Sequence, residues 1–256
     1  MPAWDHAQYL KFADARTRPA AELLARVPLT AATRIEDLGC GPGNSTELLR
    51  ARWPDAQLVG VDSSADMLRR ARQVLPDVSF VEADLADYEP AAPCDLLFAN
   101  AVLHWLPDHT RLVPRLFSAL RPGGVLALQM PDNSEEPSHR LMSTLAAQHG
   151  LRPEQVRGRA DVHEPAFYYD LLAPHAAVGG VDIWRTRYEH VMPDAAAIVE
   201  WLKGTGLRPY LEALAEPQRE TFTRDYEREI ATAYPTRRDG LRLFSFPRLF
   251  VVATRR

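Results

Sequence analysis

The first place in this chain where chemistry could be done is a run of glycines among acids. Glu36-Asp37-Leu38-Gly39-Cys40-Gly41-Pro42-Gly43-Asn44-Ser45 stands at the turn from a short strand-like run into a helical pattern. Glycine at every second position lets the backbone turn sharply, and lets a ligand approach main chain that side chains would otherwise block. The loop lacks the Gly-Lys-Ser/Thr ending of a triphosphate-gripping loop, so triphosphate hydrolysis is not expected. Its spacing is G-x-G-x-G, whereas a dinucleotide fold wants G-x-G-x-x-G. Asp62 closes the next apolar stretch, where a carboxylate can accept both hydroxyls of a ribose; that suits a dinucleotide and another nucleoside equally. Asp84, in Glu82-Ala83-Asp84-Leu85, is placed to accept from an adenine amino group, with Leu85 against the base. Asn100-Ala101 follows a fourth apolar run, beneath the same crevice.

Those residues need a scaffold that delivers them to one edge. Short β-type runs at 34–38, 57–61, 78–82, 94–99 and 125–129 alternate with helical patterns at 44–53, 64–74 and 108–119. Such alternation predicts βαβ units and a parallel sheet with right-handed crossovers. The second half reads differently. A helix is expected over 134–148, a polar irregular stretch over 152–165, and an alternating edge strand over 181–188. Asp194 caps a helix that ends at Lys203-Gly204, a further helix covers 217–233, and 249–253 is a last strand that could lie antiparallel to the first. One α/β domain over 1–256 is the reading, with a core at about 30–135, an amino-terminal cover at 1–29 and a helical lid at about 190–245.

Composition removes other classes. The chain has 256 residues, 46% hydrophobic and 25% charged, which is ordinary for a globular protein. A net charge of −4 argues against a nucleic-acid partner. No apolar run reaches the roughly 18 residues of a membrane helix, and the amino terminus does not read as a secretory signal. Two cysteines, Cys40 and Cys94, suit a reducing compartment, so a cytoplasmic location is expected. Neither has a ligand-spaced partner, and no metal site is expected. All basic residues but Lys11 and Lys203 are arginine, the side chain that grips carboxylates with two prongs.

The combination of Asp37-x-Gly39-x-Gly41-x-Gly43, Asp62, Asp84 and Leu120-Arg121-Pro122-Gly123-Gly124 resembles the class I S-adenosylmethionine-dependent methyltransferases. Their fold would be a Rossmann-like, seven-stranded, mostly parallel sheet with an antiparallel last strand and helices on both faces. The likeness extends over the whole chain to the trans-aconitate 2-methyltransferase family, through Tyr9-Leu10-x-Phe12, Arg16-x-Arg18-Pro19, His104-Trp105-Leu106-Pro107-Asp108, Gln129-Met130-Pro131-Asp132-Asn133, Thr205-Gly206-Leu207-Arg208-Pro209 and Phe246-Pro247-Arg248-Leu249-Phe250. What it implies is methyl transfer from S-adenosyl-L-methionine to one carboxylate of trans-aconitate, leaving a monomethyl ester and S-adenosyl-L-homocysteine. The cofactor residues implied are Arg18, Asp37, Gly39, Gly41, Asn44, Asp62, Ser63, Met67, Asp84, Leu85, Asn100, Ala101 and Trp105. His104 departs from the glutamine often found at its place in the family, which speaks against an essential base there.

The chemistry points the same way. A carboxylic acid with a pKa near 4 is already an anion at neutral pH, so no proton must be removed before it attacks. What remains is alignment, and a grip on the substrate's other carboxylates. Arg208 and Arg248 are the arginines set among apolar or proline neighbours, and Arg185, Arg187, Arg157 and Arg159 are weaker candidates. Tyr168 and Tyr169 can donate hydroxyls; Trp201 and His104 can wall the pocket. A monomer acting on a small polycarboxylate, without a membrane partner, completes the expectation. The competing readings are a methyltransferase of this fold with another acceptor, a nicotinamide oxidoreductase, and a binding module without catalysis.

Overall fold

The computed structural model describes residues 13–152, 156, 162–174 and 178–256, with the side chains of 13–16 and Val178 excluded. In chain order the elements are α1 (Ala13–Ala25), β1 (Arg34–Leu38), α2 (Asn44–Arg52), β2 (Gln57–Asp62), α3 (Ala65–Val74), β3 (Ser79–Glu82) and β4 (Cys94–Asn100). A single 3₁₀ turn, Leu103–Trp105, leads to α4 (His109–Ser118) and β5 (Leu120–Pro131). Then follow α5 (Pro137–Gln148), α6 (Pro165–Leu172), β6 (Val178–Met192), α7 (Ala195–Lys203), α8 (Arg208–Ala213), α9 (Glu216–Ala233) and β7 (Arg242–Arg255).

The seven strands lie in the order β3-β2-β1-β4-β5-β7-β6. The pairs β1–β2, β1–β4, β2–β3 and β4–β5 are parallel, as strands linked through helices must be. β7 lies between β5 and β6 and away from β1. It runs antiparallel to both: Trp184 of β6 stacks on Phe250 while His190 meets Phe244, and Arg255 reaches the Leu120 carbonyl while the Asp132 N–H reaches that of Pro247. The expected last strand is therefore antiparallel, but its partners are late strands, because β1 is already paired on both edges.

The chain forms two compact units, and β6 and β7 pass from one into the other. The sheet unit holds 14–131, the described part of 160–186, and Leu249–Arg256. Its core is made of central-strand residues buried on both faces (Leu38, Val61, Leu97, Leu126 and Val251) with Leu103 and Phe117 packed over them. Continuous apolar strands such as Leu96-Leu97-Phe98-Ala99 are what a parallel sheet covered on both faces requires. At the outer edge, Arg72 of α3 donates to the Phe80 carbonyl of β3 at 2.9 Å, occupying an edge acceptor.

The helical unit holds 13, 132–152, 156 and Arg187–Arg248 among its described residues. Here α7 and α9 bury Trp201, Ile198, Phe222, Tyr226 and Ile230. Two tyrosines clamp the first turn of α5: the Tyr226 hydroxyl donates to the Ser138 carbonyl at 2.8 Å and the Tyr234 hydroxyl accepts the Ser138 N–H at 3.2 Å. Arg187 spans Glu136 at 2.8 Å and the Ser245 hydroxyl at 2.9 Å.

Several boundaries differ from those expected. β5 begins at Leu120, and the Arg121-Pro122-Gly123-Gly124 turn is looped out within it: Cys94 faces Leu120 but Leu96 faces Val125. Strands β6 and β7 run to Met192 and from Arg242, so the helical insertion between them is shorter than 190–245. Helix α6 begins where the expected irregular stretch ends, with Pro165 following an extended Glu164, a favoured start. No described helix is long and apolar enough to cross a membrane, and no described group of three or more His, Cys, Asp or Glu could hold a metal ion.

Candidate cofactor and methyl-transfer site

The glycine loop joins β1 to α2 at the carboxyl end of the sheet unit. Gly39, Gly41 and Gly43 have φ of 69°, 54° and 100°, the left-handed region that L side chains rarely enter. Gly39 is doubly constrained, since a Cβ there would lie 2.3 Å from the Val102 side chain. Its N–H and that of Cys40 both donate to the Val61 carbonyl, at 2.7 and 3.0 Å, which folds the loop over the end of β2.

Asp62 ties this loop to the next one. One carboxylate oxygen accepts the Gly41 N–H at 2.9 Å and the other the Ser64 N–H at 2.8 Å. Burial raises its pKa and the backbone donors of Ser64, Gly41 and Ser63 oppose that rise. A carboxylate has about four acceptor positions, so both oxygens retain capacity for hydroxyl donors. Ser64 also caps α3, accepting the Met67 N–H at 3.4 Å; Met67 is buried below and Ser63 is exposed.

Asp37 plays a different part. It is fully buried, and its Oδ2 accepts the hydroxyls of Ser45 at 2.8 Å and Thr46 at 2.6 Å, both in the first turn of α2 beside Asn44. Burial pushes its pKa up to about 6 against the pull of those hydroxyls. Its Oδ1 is buried without a partner, as is Oδ1 of Asn100 at the end of β4. Asp84 is exposed, with Oδ1 accepting the Ala86 N–H at 2.9 Å, and Leu85 beside it is buried.

Beyond Asn100 the chain turns through Ala101, at φ 56°, into the 3₁₀ turn of His104 and Trp105. His104 is buried, whereas Trp105 is 42% exposed. The ring of His104 lies 5.0 Å from that of Trp105. Thus Asp37, Gly39, Gly41, Asp62, Asn100, Ala101 and Trp105 all stand at or just beyond the carboxyl ends of β1, β2 and β4. The contact of Val102 with Gly39, and the left-handed Ala101, had no counterpart in the sequence reading: nothing in Ala-Val-Leu marks a positive φ.

The remaining candidates are placed as follows. Arg18 of α1 is exposed and pairs with Glu22 at 2.7 Å. Tyr168 of α6 is fully buried with its hydroxyl 2.9 Å from His109 Nδ1, while Tyr169 is 53% exposed. In the helical unit, Trp201 packs among His190, Phe244 and Phe246. Arg208 pairs with Glu212 at 2.6 Å, and Arg248 is buried with its guanidinium 4.8 Å from the Phe246 ring centre. Arg185 pairs with Glu164 at 2.9 Å. The amino-terminal motifs up to Phe12, and Arg157 and Arg159, lie outside the described residues.

The donor set suits a ligand rich in hydroxyl and amino groups and free of phosphate: carboxylates at Asp62 and Asp84, an amide oxygen at Asn100, and bare glycine backbone. A Cβ at Gly41 would meet nothing within 4 Å, so this stretch of main chain faces open space. The residues present therefore fit an adenosyl amino-acid cofactor.

A family model described as a methyltransferase domain matches residues 35–124, which is the glycine loop and the strands around it. The fold agrees. The chain is similar to the YcgJ protein of Bacillus subtilis, with a TM-score of 0.59 at 14% identity, covering 93% of this chain and 98% of that one. It is also similar to phosphoethanolamine N-methyltransferase 2 of Haemonchus contortus, solved with S-adenosylhomocysteine, with a TM-score of 0.55 at 16% identity over 93% and 52% of the two chains. Among curated relatives, the trans-aconitate 2-methyltransferase of Azoarcus sp. (strain BH72) is 61% identical over the full length of both chains. That of Paracidovorax citrulli is 55% identical over 100% of this chain and 99% of its own. The chain belongs to the trans-aconitate 2-methyltransferase family.

Proposed function

We propose that the protein transfers a methyl group from S-adenosyl-L-methionine to one carboxylate of trans-aconitate, releasing the monomethyl ester and S-adenosyl-L-homocysteine. End-to-end identity of 61% with a relative named for that activity carries the reading. The cofactor supplies a methyl group made electrophilic by a positively charged sulfur. In this reading Asp62 receives the ribose hydroxyls, Asp84 and Leu85 the adenine, and the free Oδ1 of Asn100 an amino group. Asn44, Ser63, Met67, Ala101 and Trp105 line the remainder, and Asp37 holds the first turn of α2 in place. Arg18 takes the amino-acid carboxylate; giving up its exposed pair with Glu22 costs only a few tenths of a kcal/mol.

For the substrate, arginine is the side chain that grips carboxylates with two prongs, and Arg208 and Arg248 are the candidates for that grip. Tyr168 and Trp201 are buried and committed to packing, each in its own unit. Because the substrate is already ionised, His104 is not needed as a base. The residues instead orient the attacking oxygen and exclude water, and orientation of this kind contributes on the order of 7–11 kcal/mol. A monomer of the cytoplasm, without a nucleic-acid or membrane partner, is the accompanying reading.

The test is incubation with methyl-labelled cofactor and a panel of trans-aconitate, cis-aconitate, citrate and isocitrate, with products identified by mass spectrometry. Labelled monomethyl trans-aconitate is the expected product. Preference for another acceptor in the panel, or no transfer at all, overturns the substrate assignment.

A further inference from the structure

We propose that His109 is a positioning residue, whose ring bolts the segment 101–108, bearing His104 and Trp105, to the core of the sheet unit beside the glycine loop. The kinetic consequence rests on the methyl-transfer reading above; the geometry does not.

The segment is strained at both ends. Ala101 at φ 56° and Asp108 at φ 57° are the only non-glycine residues with positive φ among those described. Each such residue costs roughly 1–2 kcal/mol, and persists only where its surroundings hold it. Part of the hold is backbone: the Ala101 N–H donates to the Gln129 carbonyl at 2.9 Å, and the N–H groups of Trp105 and Leu106 donate to the Val102 and Leu103 carbonyls, each at 2.9 Å. The side-chain part is His109.

Its Nε2 lies 3.0 Å from the Leu103 carbonyl and its Nδ1 2.9 Å from the Tyr168 hydroxyl. A carbonyl only accepts, so the proton sits on Nε2, and Nδ1 accepts the Tyr168 O–H. Burial lowers the pKa of the ring and favours this neutral form. The Tyr168 hydroxyl also lies 3.4 Å from the His163 N–H, which it accepts, and 3.8 Å from the Met130 sulfur of β5. One ring thus joins the strained segment, α6 and, through the hydroxyl, β5. Cutting it leaves the buried Leu103 carbonyl with the Leu106 N–H alone and the buried Tyr168 hydroxyl without its nitrogen acceptor, at a cost of about 0.5–1.5 kcal/mol for each bond lost. Any displacement reaches the glycine loop directly, because Val102 occupies the space a Gly39 side chain would need.

Three variants test this: His109→Leu removes both bonds, His109→Gln keeps a donor for the Leu103 carbonyl, and Tyr168→Phe keeps the Leu103 bond while removing the second, together with the acceptor of the His163 N–H. The readings are hydrogen exchange of the Trp105 and Leu106 amides, and kcat and KM with trans-aconitate. For His109→Leu the exchange is expected to quicken about tenfold or more without change in α2, and kcat to fall about 100-fold, the scale of a 1 Å misplacement. His109→Gln is expected to recover most of that loss and Tyr168→Phe to lose about tenfold. Unaltered exchange in these variants, or kcat per folded molecule equal to wild type, overturns the proposal. If His109→Leu does not fold, the other two decide by the same readings. If the wild-type protein leaves trans-aconitate unmethylated, the substrate reading has failed, while the exchange experiment still judges His109.

Discussion

The loop after β1 and the segment after β4 leave paired strands, Asp37 beside Phe98, at the same end of the sheet. Both need left-handed backbone, and they obtain it differently. The first uses Gly39, Gly41 and Gly43, for which that conformation is free of Cβ strain. The second uses Ala101 and Asp108 and relies on hydrogen bonds from Gln129, His109 and the turn itself. In one the requirement is written in residue type; in the other it is written in the neighbours. The two also touch, through Gly39 and Val102, so neither can shift without the other.

Gly39→Ala attacks that contact and is expected to have the largest effect. A Cβ at 2.3 Å from Val102, on backbone at φ 69°, should destabilise the fold by roughly 2–4 kcal/mol and abolish cofactor binding. A melting temperature and an S-adenosylhomocysteine affinity close to wild type would show that the loop and the segment are independent. Asp62→Ala frees the Gly41 and Ser64 amides and removes the carboxylate proposed to receive the ribose hydroxyls. Affinity for S-adenosylhomocysteine by calorimetry should weaken about 100-fold, consistent with charged hydrogen bonds at roughly 1.5–3 kcal/mol each; an unchanged value would remove Asp62 from the site.

Asp37 sharpens the comparison through pH. Its folded pKa of about 6 lies above the usual carboxylate value near 4, so the folded state holds this proton more tightly than the unfolded chain. The group's contribution to stability therefore rises as pH falls from 7 through 6 towards 4, by on the order of 2 kcal/mol. Denaturant midpoints at pH 7.5 and pH 5 (about, on either side of that value) should show wild type gaining on Asp37→Asn as pH drops; a constant gap would refute the shift. Ala101→Gly should have the smallest effect. It relieves a strained φ at the cost of a freer unfolded chain, so the melting temperature should hold or rise, by less than about 1 kcal/mol in stability. A marked loss would mean that the Ala101 methyl itself is needed.

What could be read in advance follows the same division. Strands β2 and β4 were legible because buried parallel strands are nearly uninterrupted apolar runs, and the glycine loop, which locates β1 before it, because its residue types have few other uses. Asp62 and Asp84 were found at strand ends, a position that the βαβ pattern fixes. Helix α6 was missed because eight residues, with Pro165 at the start and apolar groups on several sides, show no helical stripe. The partners of Arg18, Arg208 and Arg185 were half visible: Glu22 and Glu212 stand four residues on, whereas Glu164 is brought to Arg185 only by folding. His109 gave no signal, since a histidine opening a helix reads as a surface residue until Tyr168 and Leu103 close on it.

The backbone bonds that hold both oxygens of Asp62 have a thermodynamic consequence. The carboxylate cannot rotate without losing the Gly41 or the Ser64 amide, so its remaining lone pairs are aimed before any ligand arrives. A vicinal diol docking there immobilises almost nothing on the protein side, and the ordering toll falls on the small molecule alone. Recognition at this carboxylate should accordingly be enthalpy-led, with a rigid receptor receiving a flexible guest.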